Sequence, residues 1–107
     1  MPCAMNVEFH PEAMGEFSQA VEFYEDRQPL VGVRFRDRVR EIVAGLSDRP
    51  DLGWTHRAGT RLQRVSRFPY GVIFLVQGER IQIVAVAHCS RRADYGLDRL
   101  PTGQDLE

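Results

Sequence analysis

Two side chains in the last fifth of the chain can move protons, His88 and Tyr95, and arginines surround both in sequence. Arg91 and Arg92 lie between them, while Arg61, Arg64 and Arg67 precede them at three-residue steps. Arginine stays protonated and so cannot serve as acid or base. Its planar fork instead grips phosphate or carboxylate through paired hydrogen bonds. These residue types suit a site that holds an anion, with His88 and Tyr95 as candidate acid-base groups. Each also has a plainer reading. His88 closes an apolar stretch, where a hydrogen-bonded structural histidine accounts for it equally well, and His10 is most simply a helix cap. Arg61, Arg64 and Arg67 have only Glu79 as a nearby acid in sequence, which makes a binding role as good an account as a structural one. Arg91, Arg92 and Tyr95 follow the apolar stretch in a loop, where functional groups concentrate. Cys3 and Cys89 lack the spacing of a zinc site, so both read as free thiols, and no cofactor or metal is expected.

Charge is segregated along the chain. Six acidic residues and no lysine or arginine occur up to Asp26, whereas thirteen arginines face five acidic residues from Arg27 to Arg92, although the whole chain carries a net charge of -1. That local excess favours an acidic or phosphate-bearing partner more than the net charge suggests. Arg34, Arg36, Arg38 and Arg40 read first as a solvated helix face, partly paired with Asp37 and Glu41, and second as a surface for an acidic partner. No stretch of about 18 apolar residues suggests a membrane span, and residues 1–10 show no leader pattern. The expected location is the cytoplasm, in keeping with free thiols.

At 107 residues the chain suits one domain. The expected boundaries are 1–99 for the domain and 100–107 for a flexible tail. Asn6 to Phe9 alternates as a strand. His10-Pro11-Glu12 then starts a helix, because proline at the first position loses no needed hydrogen bond. Ala13, Phe17, Ala20, Val21 and Tyr24 give this helix an apolar face to about Asp26, with Glu12, Glu16, Gln19 and Glu22 largely outside it. Gln28-Pro29 interrupts, and Val31, Phe35, Val39, Ile42 and Leu46 stripe a second helix from Val31 to Leu46. Asp48 to Gly59 reads as a loop with Trp54 as its anchor in the core. Three strands follow, Arg61 to Ser66, Gly71 to Gln77 and Arg80 to His88, the last two joined by a Gly78-Glu79 turn.

The predicted fold is α+β in the order β-α-α-β-β-β. A helical hairpin covers one face of a mostly antiparallel, four-stranded sheet. Simple alternation sends Gln82, Val84, Val86 and His88 to the other face.

Three segments in this order resemble the RelE/ParE superfamily of toxins of type II toxin-antitoxin, or plasmid stabilisation, systems. They are Val7 to Ala13 leading into Ala20 to Glu25, Arg67-Phe68-Pro69-Tyr70, and Ala85-Val86-Ala87-His88 with Arg91, Arg92 and Tyr95. The resemblance spans the chain up to Arg99 and implies a toxin neutralised by a cognate antitoxin, with a homodimer among the associations such proteins form. It implies two activities on one scaffold. The ParE branch inhibits DNA gyrase, while the RelE branch cuts mRNA on the ribosome.

Under the ribonuclease reading, His88, Tyr95 and Arg91 would be catalytic, and Arg61, Arg64, Arg67, Arg91 and Arg92 would hold phosphate or target. The sequence departs from the nuclease pattern in having Gly71 after Tyr70, where a basic residue is common, and in lacking lysine. The acidic start of the first helix, Phe68-Pro69-Tyr70 and the Ala-Val-Ala-His strand look more like the ParE branch, which favours a gyrase inhibitor that performs no chemistry. A third reading is an inactive member that only binds antitoxin, since Gly96 stands where a second aromatic often follows Tyr95.

Overall fold

The computed structural model describes residues 6–92 and 94–100. Its elements are β1 (Asn6–Phe9), α1 (Pro11–Arg27), α2 (Val31–Leu46), β2 (Trp54–Thr55), β3 (Arg61–Arg64), β4 (Tyr70–Gln77) and β5 (Arg80–His88), with short 3-10 turns at Arg57–Gly59 and Leu97–Arg99. The sheet runs β1-β5-β4-β3-β2. β1 lies parallel to β5, and the other pairs are antiparallel. The expected helices and β1 form within a residue of their predicted limits.

Local chemistry explains the hairpin. His10 caps α1 by accepting the Glu12 N–H at 3.1 Å on Nδ1. Glu25 then reaches across the connection and accepts from the N–H of Leu30 at 2.9 Å and of Val33 at 3.3 Å, which satisfies donors at the start of α2. At Gly32 any Cβ would lie 2.4 Å from the Val21 carbonyl oxygen, so only glycine lets the two helices approach this closely. Phe35, fully buried, stands at the centre of the core. Its ring lies 5.1 to 6.2 Å from those of Phe17, Tyr24, Phe68 and Tyr70.

Three expectations need correction. The sheet has five strands, because Trp54 and Thr55 pair with Leu62 and Arg61 inside the stretch read as loop. Trp54 is 71% exposed and anchors nothing. The loop is fixed through its backbone instead: the Arg61 guanidinium donates to the carbonyls of Leu52 at 3.0 Å, Gly53 at 2.9 Å and Asp51, and Leu52 supplies the side chain that packs on the core.

The third correction concerns β5. Ile73 pairs with Ala85 but Phe74 with Ile83, so Val84 has no partner on β4 and forms a β-bulge. One extra residue reverses the alternation. Val86 therefore joins Ile81 and Ile83 in the helix-side core, and Val84, Ala85 and Ala87 join Ile73 on the other face. His88 follows Val86 to the helix side, with its ring 5.3 Å from that of Tyr70.

Cys89 is an exposed free thiol, whereas Cys3 lies outside the described residues. So does the expected tail from 101 onward. Leu100, placed in that tail by the sequence, packs against the second-face cluster of Ile73, Val84, Ala85 and Ala87.

Phe35→Ala is expected to lower stability by about 3–5 kcal/mol, the usual cost of emptying a buried aromatic site. Trp54→Ala should stay within about 0.5 kcal/mol, as for an exposed position. Urea unfolding of both variants checks the pair, and equal losses would contradict this description of the core.

Candidate functional site

Two clefts meet at the C-terminal end of β5, and His88, Ala87 and Arg91 line both. The first, of about 280 Å³, lies towards α1 and is bounded by Glu16, Gln19, Phe23, Tyr70 and Tyr95. The second, of about 270 Å³, opens on the other face among His56, Leu62, Arg64, Cys89 and Arg92. Gly71 helps to form it: opposite Arg64 in register, it leaves the space that a side chain would take from Leu62, whose Cδ1 would lie 2.6 Å from a Cβ there.

The sheet's topology explains why this end is special. The last register pair between β1 and β5 is Phe9 with Ile83, yet β5 continues to His88. After the bond from the His10 N–H to the Ile83 carbonyl, at 2.9 Å, no strand among the described residues continues along that edge of β5. Side chains take its place. Glu16 Oε1 accepts the Val86 N–H at 3.0 Å, and Arg99 Nη1 donates to the Val84 carbonyl at 3.0 Å.

The two side chains also grip each other. Arg99 donates to Glu16 through Nη1 to Oε1 at 3.0 Å and through Nη2 to Oε2 at 2.7 Å. The Tyr95 hydroxyl donates to Glu16 Oε2 and lies 3.2 Å from Arg99 Nη2. Side-chain exposure is 8% for Arg99 and 17% for Glu16, so water screens this pair weakly.

This packing sets the protonation of all three groups. Burial acts to raise the Glu16 pKa, but hydrogen bonds from Arg99, Tyr95 and the Val86 N–H, with the Arg99 charge, outweigh it and hold the carboxyl below its ordinary value of 4.5. Tyr95 is raised, first by its hydrogen bond to Glu16 and then by burial, with Arg99 opposing. The hydrogen bond to Glu16, against the cost of burial, raises Arg99 still further into its charged range.

At His88 the free direction belongs to a donor. Nδ1 accepts the Ser90 N–H at 3.0 Å and lies 2.8 Å from Ser90 Oγ. In the neutral ring the proton then sits on Nε2, the nitrogen left for a partner.

Of the seven residues singled out in sequence, five gather here: His88, Tyr95, Arg91, Arg92 and Arg64. The Arg91 guanidinium stacks on the Tyr95 ring at 4.9 Å from its centre. Arg92 projects into solvent beside Asp94, 3.4 Å away. Arg61 does not belong to the group, since loop carbonyls occupy its guanidinium. Arg67 sits on the β3–β4 turn, beside Arg34 and Arg38 of α2. Sequence reasoning missed Glu16 and Arg99. The available signal was a glutamate one turn from Ala13 and Ala20 on an otherwise apolar approach to the sheet. Among the described residues, no group of three or more His, Cys, Asp or Glu side chains is placed to hold a metal ion.

The sequence pattern of a family described as "ParE toxin of type II toxin-antitoxin system, parDE" matches residues 7–93. That match takes in β1 to β5 and Arg91-Arg92, and stops before Tyr95 and Arg99. No curated protein sequence matches the chain. Among solved structures, a chain of the chromosomal ParDE system from P. aeruginosa is similar, with TM-score 0.69 and 20% identity, covering 79% of this chain and 96% of that one. A double mutant of the E. coli toxin RelE in the free state is also similar, with TM-score 0.69 and 12% identity, covering 92% of this chain and 100% of that one. At these identities the likeness concerns the fold.

Glu16→Gln should destabilise the protein by about 2–3 kcal/mol at pH 7, because it leaves the Arg99 charge in a site made for a pair. The native Glu16 pKa is depressed, so the carboxylate's contribution is complete above the unfolded value near 4.5 and disappears as pH falls through the folded value. The gap between wild type and Glu16→Gln should therefore close on acidification. Denaturation curves from pH 7 to pH 3 test this, and a constant gap would contradict it.

Proposed function

This chain belongs to the ParE toxin family of type II toxin-antitoxin systems, and we propose that it acts by binding DNA gyrase, without chemistry of its own. The observation that carries the reading is that hydrogen bonds already engage both candidate acid-base side chains. The Tyr95 hydroxyl donates a hydrogen bond to Glu16, which raises its pKa. His88 accepts from Ser90 on Nδ1, so its neutral ring offers a partner an N–H and not a lone pair. Neither group is poised as the general base that cleavage at a 2′-hydroxyl requires. What the rim offers is grip. Arg64, Arg91 and Arg92 present cations around two shallow clefts, with Arg91 held against Tyr95. Those groups suit recognition of an acidic protein surface.

Family membership also implies a cognate antitoxin as partner. In our reading the toxin domain spans 1–99 and works in the cytoplasm, where gyrase is; among the described residues no helix is long and apolar enough to cross a membrane. A homodimer is a further association we propose for the chain, as membership of this family suggests. The RelE-like ribonuclease remains the second reading, favoured by one observation: His88 and Arg91 line both clefts, so an anion in either would touch them.

Induction of the chain alone in bacteria separates these readings. The expected outcome is growth arrest with nucleoid damage and intact mRNA, weakened about tenfold in Arg91→Ala by loss of a charged contact. Cut mRNA would replace the gyrase reading with the ribonuclease, and unimpaired growth would identify an inactive member that binds antitoxin alone.

A further inference from the structure

Arg67, carried away from the cleft arginines on the β3–β4 turn, opens a second surface. Its φ of 71° lies in the left-handed region, which is costly for a side chain of this kind. From that position it joins Arg34 and Arg38 around a groove of about 440 Å³ floored by Val31 and Phe68. The three α2 residues share one helix face through their spacing of three and four. Phe68 is set firmly, its ring 5.0 Å from Tyr24 and 5.1 Å from Phe35.

The counter-charges lie elsewhere. Among the described residues, ion pairs join Arg36 to Asp37, Arg49 to Asp51, Arg80 to Glu8, Arg92 to Asp94, and Arg99 to Glu12 and Glu16. Arg34, Arg38 and Arg67 have none, and Glu41, one turn beyond Arg38, forms none with it. Three guanidinium groups gathered without an anion repel one another, and a bound anion reverses that penalty.

We propose that this groove docks an acidic peptide segment of a partner protein, with carboxylates on Arg34, Arg38 and Arg67 and one apolar side chain on Val31 and Phe68. The apolar floor of Val31 and Phe68 suits a peptide, whose aliphatic side chain packs there away from water. Net charge favours it too. A long polyanion would meet the field of a chain with a net charge of -1, whereas a short segment meets only the groove. The inference holds whichever target the toxin has, because none of these residues lines the two clefts at the end of β5.

The test is fluorescence anisotropy on the full chain with a short labelled glutamate-rich peptide containing one leucine. Saturable binding should weaken about tenfold in Arg38→Ala and in Arg67→Gly, since each removes a charge-assisted contact. Glycine relieves the positive φ, so Arg67→Gly should melt no lower than wild type. Arg57→Ala, which removes an equal charge on an exposed turn, should bind as wild type does. Replacing the peptide's leucine with glycine and raising the salt should each weaken binding. The proposal is overturned by absent saturable binding, by equal loss in Arg57→Ala, or by a single-stranded DNA oligonucleotide that binds more tightly with the same dependence on Arg67.

Discussion

A buried ion pair, Glu16 with Arg99, holds the working end of the molecule because β5 outruns its neighbour. Past Ile83 the strand has backbone groups turned towards α1 and, among the described residues, no further strand to bond. An unpaired buried N–H or C=O costs as much as a lost hydrogen bond. Glu16 takes the Val86 N–H, Arg99 takes the Val84 carbonyl, and each satisfies the other's charge. The arrangement also ties residues 95–100 back onto the sheet, and so sets where Tyr95 and the stacked Arg91 stand. Exchanging the pair for apolar residues would leave those two backbone groups unpartnered, which explains why ionic groups are kept where water is scarce.

The same interaction bears on function. RelE and ParE folds match this chain equally well by TM-score, so the backbone does not choose between a nuclease and an inhibitor. In our reading the side chains carry the choice. Tyr95 is a donor to a carboxylate, His88 is oriented by Ser90, and Arg61 is absorbed by a loop. Arg64, Arg91 and Arg92 keep their cations at the rim, where they add attraction and orientation without proton transfer.

Much of this was legible in the sequence where the cause is local. His10-Pro11 marked the start of α1, five apolar residues at helical spacing marked α2, and Gly78, with φ 59°, marked the β4–β5 turn. The gathering of His88, Arg91, Arg92 and Tyr95 followed from their nearness in sequence. Features set by distant partners were hidden. The bulge at Val84 exists only in register with Ile73 and Phe74, so counting by twos along β5 sent Val86 to the wrong face. Glu16 looked like a surface residue because its partner lies 83 positions away. Arg61, Arg64 and Arg67 looked like one set, yet strand alternation turns Arg61 away from Arg64, and the following turn carries Arg67 to α2. Trp54 looked like an anchor because size alone suggested burial, while hydrogen bonds from Arg61 already held that loop.

The central claim, that the toxin inhibits gyrase by binding and needs no proton from Tyr95, is tested most directly with purified components. DNA supercoiling by gyrase should be measured against rising concentrations of the wild-type chain and of Tyr95→Phe, with mRNA on translating ribosomes as a parallel substrate. The account predicts that both proteins inhibit supercoiling at similar concentrations and leave the mRNA whole. Unimpeded supercoiling, together with mRNA cleavage lost in Tyr95→Phe, would contradict it.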